Sequence, residues 1–216
     1  MKKIPNVEGE FYHVYNRGVD KREIFSDQED VDRFLKSMIE FNVVEPIRSI
    51  YENSFLKEKK HQDKLVEFVC FSLVINHYHF ILKQVSEKGI EKFMQRLSNG
   101  YTKYFNNKQK RSGTLFQGRY KSKHIDSDNY LLHLSAYVNL NQKVHSLGHS
   151  MSKLKLYSSW GEYKNEKNNN IKICEKDVIL GRYKNREEYI NFAESSLKDM
   201  IITKQKSKKD LGLYME

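Results

Sequence analysis

The chain has 216 residues, enough for one well-buried domain with an appendage and too few for two full catalytic domains. Lys and Arg outnumber Asp and Glu by 38 to 28, a formal charge of +10 that draws polyanions, nucleic acid first, through phosphate neutralisation. No apolar run reaches the roughly 18 residues that span a bilayer, and the two distant cysteines, Cys70 and Cys174, exclude a disulfide framework and a four-cysteine zinc site.

The basic start Met1-Lys2-Lys3 leads to Pro5 and charged residues rather than to a signal-peptide core, so a cytoplasmic protein without a membrane partner is expected. Phe11 to Tyr15 is aromatic and β-branched, ends at Asn16-Arg17-Gly18, and predicts a strand entering a turn. Between Asp27 and Phe41 the spacing of Val31, Phe34, Leu35, Met38 and Ile39 predicts an amphipathic helix with acids at its start. Residues 45–64 lose the pattern and fill with charge, which predicts an inserted loop or short hairpin. Val66 to Ile75 is nearly continuous apolar sequence and His77 to Leu82 resumes it, so either two tightly joined strands or one long bent strand fits.

Ile90, Phe93, Met94, Leu97, Tyr101 and Tyr104 predict a second helix over 89–106, followed by a Lys/Arg-rich loop and a basic strand from Leu115 to Ile125. Asp126-Ser127-Asp128 caps a third helix running to Val144, with Leu131, Leu134 and Val138 on its apolar face. Beyond His145 a linker or extended wrap leads to a last helix over 186–202 and a basic stretch, Lys204 to Lys209. The order strand, helix, strand, strand, helix, strand, helix predicts an α+β ferredoxin-like sandwich, a mainly antiparallel sheet with helices on one face, plus a C-terminal helical extension. The catalytic unit is expected over 1–145, with 146–216 as linker and helical basic tail.

In His77-Tyr78-His79 the two histidines are one residue apart, so on a strand their imidazoles share a face and can share a cation. Tyr137 and Asn141 are four residues apart on the third helix and stack on one face beside the core stripe. Two imidazoles and an amide oxygen leave coordination positions for phosphate and water, a mixed set that suits Mg²⁺ or Mn²⁺. Arg17, Lys108, Lys110, Arg111, Arg119, Tyr120, Lys121 and Lys123 mix cations with an aromatic ring, as a single-stranded DNA groove requires. His13, His124 and His133 lack paired spacing and stay outside the ligand set, while Tyr130, two turns before Tyr137, is a rival nucleophile.

Four blocks, Phe11-Tyr12-His13-Val14-Tyr15-Asn16-Arg17-Gly18, Asn76-His77-Tyr78-His79-Phe80, Gly113 through Ser122, and Tyr137-Val138-Asn139-Leu140-Asn141, resemble in content and order the IS200/IS605-like single-tyrosine transposases, in particular their REP-associated tyrosine transposase branch. The resemblance covers approximately residues 9 to 163. It implies that Tyr137 is the nucleophile, that His77 and His79 bind a divalent metal, and that Asn141 completes the protein ligands. Ile75 stands where the family usually has proline, and Gln142-Lys143 where it usually has Pro-Val; neither change removes a reacting group. The reaction expected is cleavage and rejoining of single-stranded or hairpin DNA through a 5′-phosphotyrosine, without a nucleotide cofactor. A monomer is favoured over a homodimer. The rival readings are a catalytically inactive single-stranded nucleic-acid-binding module and a hydrolytic metal-dependent nuclease.

Overall fold

The computed structural model describes residues 6–55, 63–146, 154, 156–166 and 172–197. The chain begins with β1 (Phe11–Arg17), a 3-10 turn (Val19–Lys21) and α1 (Gln28–Glu40), whose first turn is capped by the Asp27 carboxylate accepting from the Asp30 amide. A four-residue α2 (Ile50–Asn53) lies in the 45–64 segment, where the sequence suggests a loop or short hairpin; residues 56–62 of that segment fall outside the described residues. Then come β2 (Val66–Val74), β3 (His77–Gln84), α3 (Gly89–Lys108), β4 (Lys121–His124) and α4 (Asp128–Ser146). Two short helices, α5 (Trp160–Lys164) and α6 (Asp177–Leu180), precede α7, helical from 186 through 197. The basic stretch expected over 204–209 lies outside the described residues.

The four strands form one antiparallel sheet in the order β2-β3-β1-β4, so the first and third strands are central, as the expected α+β sandwich requires. The apolar stretch around Asn76 is two strands, joined by the two-residue turn Ile75-Asn76. That turn is pinned to the exit of β1. The Ile24 amide donates to the Ile75 carbonyl at 2.8 Å, and the Gly18 amide to the Asn76 carbonyl at 2.9 Å. His77 therefore starts β3 directly opposite Arg17.

Alternation divides the side chains between two faces. Tyr12, Val14, Phe71, Leu73, Tyr78, Phe80 and Leu82 point to one side, where Phe34 and Met38 of α1 and Phe93, Leu97 and Tyr101 of α3 complete an aromatic core. Cys70 and Ile81 point to the other, into a second core with Leu131, Leu134 and Val138 of α4. Helices thus lie on both faces. The expectation of a single covered face holds for α1 and α3 only, because the sheet is apolar on both sides and α4 closes the second.

The basic strand expected over 115–125 is shortened to Lys121–His124. Leu115, Phe116 and Tyr120 turn into the first core, and Gly118 adopts a left-handed φ of +68°, which breaks the run before Lys121. After α4 the chain wraps along the outer edge of β2. The Leu73 amide donates to Tyr157, the Ser159 amide to Phe71 and the Glu175 amide to Phe68, so the edge strand's backbone groups are paired rather than open. The Glu162 carboxylate, buried, accepts from the amides of Ile173 and Cys174 and ties the two wrapping segments together. Trp160, Tyr163, Ile179, Tyr189 and Ala193 then complete the second core around α4.

Candidate active site

His77 and His79 both point to the α4 side of the sheet, with ring centroids 5.1 Å apart and planes nearly perpendicular. Each ring is anchored through Nδ1. The Asn76 side-chain oxygen lies 2.6 Å from His77 Nδ1, and His13 Nε2 lies 2.9 Å from His79 Nδ1. Such partners fix the tautomer and orientation of a ligating imidazole. Burial, reinforced by the nearby Lys123 charge, lowers the His13 pKa to about 4. His13 is therefore neutral at pH 7, so its Nε2 can donate to or accept from His79 Nδ1 according to tautomer.

The period of α4 brings Tyr137 and Asn141 over the same sheet face. The Tyr137 ring packs edge-on against His79, with centroids 5.6 Å apart and an interplanar angle of 82°. Burial raises the Tyr137 phenol above its ordinary pKa, the adjacent Asn141 amide pulls it back, and Tyr15 adds a smaller upward push. Asn141 is 0% exposed, and neither of its amide atoms meets a hydrogen-bond partner in good geometry. A buried amide left without a good hydrogen bond costs about 1–3 kcal/mol, which a ligand accepting from or coordinating to it would relieve. Among the described residues no group of three or more His, Cys, Asp or Glu side chains could hold a metal ion. A cation here would depend on two imidazoles and the Asn141 oxygen, a donor set that fits a hard or borderline divalent ion with open positions.

The eight residues expected to line a DNA groove separate into two groups. Lys121 and Lys123 pair in register with Tyr15 and His13, and Arg17 pairs with His77, so these three cations border the histidine face. The Lys121 ammonium lies 5.9 Å from the centre of the Tyr15 ring, and that of Lys123 lies 4.9 Å from the Tyr130 ring. Arg17 also bonds to the Gln117 side chain. The other five are engaged elsewhere or lie beyond α3. Lys108 is held by Asp27, Glu29 and Asp30 at 2.7, 3.0 and 2.9 Å. Arg111 bonds Asn106 and the Thr114 carbonyl, and Lys110 sits in the left-handed turn beyond α3. Arg119 pairs with Glu91 at 3.1 Å, and the Tyr120 ring is buried in the first core.

Tyr130, the rival nucleophile, associates with Lys123 rather than with the histidine pair. His124 pairs with Glu10 and His133 packs on Phe192, away from the ligand candidates. Two further residues border this site: His13, which the sequence leaves outside the ligand set, and Tyr15, not singled out there, whose ring stacks 5.5 Å from His79. Their own period-two spacing was the available signal, since it puts both on one face of β1, but only the strand pairing shows which face.

The sequence profile of a family described as "Transposase IS200 like" matches residues 11–141, from the first residue of β1 to Asn141. A solved structure described as that of a REP-associated tyrosine transposase bound to a REP hairpin is similar at 14% identity, over 77% of this chain and 87% of that one, with a TM-score of 0.47. No curated protein matches. Among the described residues no helix is long and apolar enough to cross a membrane.

Proposed function

The chain belongs to the IS200-like transposases, a family of DNA-cutting enzymes, and on that premise we propose that it cleaves and rejoins single-stranded DNA by transesterification at Tyr137. The observation that carries this reading is the edge-on contact of Tyr137 with His79, with a buried Asn141 that makes no hydrogen bond of good geometry one turn further along the same helix.

In the proposed step the Tyr137 oxygen forms a bond to the scissile phosphorus while the bond to the 3′-oxygen breaks. The phenol loses its proton, the leaving oxygen departs as a 3′-hydroxyl, and a 5′-phosphotyrosine remains. Attack by a 3′-hydroxyl reverses the step, and attack by a different end joins new strands. One ester replaces another, so no nucleotide cofactor is consumed. A divalent ion, Mg²⁺ or Mn²⁺, held by His77, His79 and Asn141, would withdraw charge from the phosphate.

The chain's own groups do the rest. Asn76 and His13 hold the two imidazoles in place through Nδ1. Burial raises the Tyr137 phenol above its ordinary pKa, which makes removal of its proton harder, and the Asn141 amide partly offsets that effect. Arg17, Lys121 and Lys123 offer charge to the DNA backbone, and Tyr15 and Tyr130 offer ring faces to unpaired bases.

The test is incubation of the full chain with Mn²⁺ and a single-stranded hairpin DNA, followed by denaturing electrophoresis, comparing wild type with Tyr137→Phe. A covalent protein-DNA adduct in the wild type alone supports the reading. Cleavage that survives Tyr137→Phe without an adduct would identify a water nucleophile instead, and binding without cleavage would identify a DNA-binding module.

A further inference from the structure

Under α4, three buried polar atoms share one condition. The two amide atoms of Asn141 make no hydrogen bond of good geometry, although the amide lies close enough to Tyr137 to act on its phenol, and the hydroxyl of Ser72, a residue of β2 that is 0% exposed, likewise has no partner. Ser72 pairs in register with His79, and residues directly opposed in an antiparallel pair send their side chains to the same face. The Ser72 hydroxyl therefore lies on the face of the histidine pair.

The helix crosses β2 at this point. Asn139 Nδ2 meets Cys70 Sγ at 3.6 Å, and Gln142 Nε2 donates to the Leu73 carbonyl at 3.0 Å. These two contacts bracket Asn141 on the helix and Ser72 on the strand. A hydroxyl taken out of water without a partner destabilises the fold, whereas alanine at the same place would carry no such penalty. Small hard divalent ions keep several of their waters, and groups that hydrogen-bond to the coordination shell tune affinity as strongly as some ligands do.

We propose that Ser72 is a positioning residue of the cation site, its hydroxyl holding one of the waters that complete the shell of a divalent ion bound by His77, His79 and Asn141. This deepens the cation-dependent reading given above and rests on it. Ser72 acts through the water and touches neither the phosphate nor Tyr137.

The test is calorimetric titration of Mn²⁺ into the full chain, wild type and Ser72→Ala, with thermal melts of both proteins in the absence of metal. Ser72→Ala is expected to weaken Mn²⁺ binding by about tenfold. Its metal-free melting temperature is expected to stay level or rise, because an unpaired buried hydroxyl has been removed. Equal Mn²⁺ affinity in the two proteins would overturn the role of Ser72 and leave the cation site standing. A melting temperature that falls without metal would also overturn it, since the hydroxyl would then be a structural one. A wild type that binds no Mn²⁺ would overturn the proposal together with the reading beneath it.

Discussion

Replacing Asn139 by alanine probes how the C-terminal wrap holds the helix that bears Tyr137 and Asn141. The Asn139 side chain is almost fully buried; its amide donates to the Tyr189 hydroxyl at 2.8 Å and its oxygen accepts from the Ser159 hydroxyl at 2.5 Å. Two hydrogen bonds at about 1 kcal/mol each, with the small void left by the amide, put the cost of Asn139→Ala at about 2–4 kcal/mol. The partners are not stranded. Tyr189 keeps Ser135 at 3.0 Å, and Ser159 keeps the Phe71 carbonyl at 3.2 Å and the Phe71 amide at 2.9 Å, which argues against a larger loss. Tyr189→Phe removes the hydroxyl that bonds both Asn139 and Ser135, one of the same two Asn139 bonds among them, and should cost about 2 kcal/mol. Urea unfolding of both single variants and the double variant measures their coupling, expected at about 1 kcal/mol because the groups touch directly. An Asn139→Ala protein within about 0.5 kcal/mol of wild type, or strictly additive losses, would refute the view that this network braces α4.

The remaining expectations concern the DNA surface, the α1–α3 ion cluster and one close backbone contact. Lys121→Ala with Lys123→Ala should lower the slope of log affinity for single-stranded DNA against log salt by about 1.4, whereas Lys108→Ala should leave that slope unchanged because Asp27, Glu29 and Asp30 already hold its ammonium; fluorescence anisotropy across a salt series decides. The hydrogen bond from Lys108 holds the Asp27 carboxyl below the usual carboxylate range. A depressed folded-state pKa contributes stability above the ordinary carboxylate pKa that is lost as pH falls through the lowered one. For a half-exposed group the contribution stays under about 1 kcal/mol, so urea midpoints should fall below about pH 4 slightly more in wild type than in Asp27→Asn. Gly89→Ala would bring a Cβ within 2.1 Å of the Leu65 carbonyl oxygen, so thermal melting should show a loss of about 2 kcal/mol or more.

The period of two in β1 and β3 was legible residue by residue, and it alone sent His77 and His79 to one face and Tyr78 and Phe80 to the other. The helical period of α4 likewise put Tyr137 and Asn141 on a common face, and the order of elements was enough for the antiparallel α+β sheet. These features are local, fixed by backbone geometry within a few residues. What the sequence left open depends on contacts between distant segments. His13 meets His79 only because β1 and β3 pair in one register across 66 residues, and Ser72 joins the same face only because β2 is registered on His79. The sign of a charge was readable at Lys108, but its availability was not, since the acids that neutralise it lie on another helix. The side of the sheet taken by α4 was likewise a tertiary decision: with apolar residues on both faces, packing rather than pattern determines which helix covers which, and hence that the tyrosine comes to rest against the histidines.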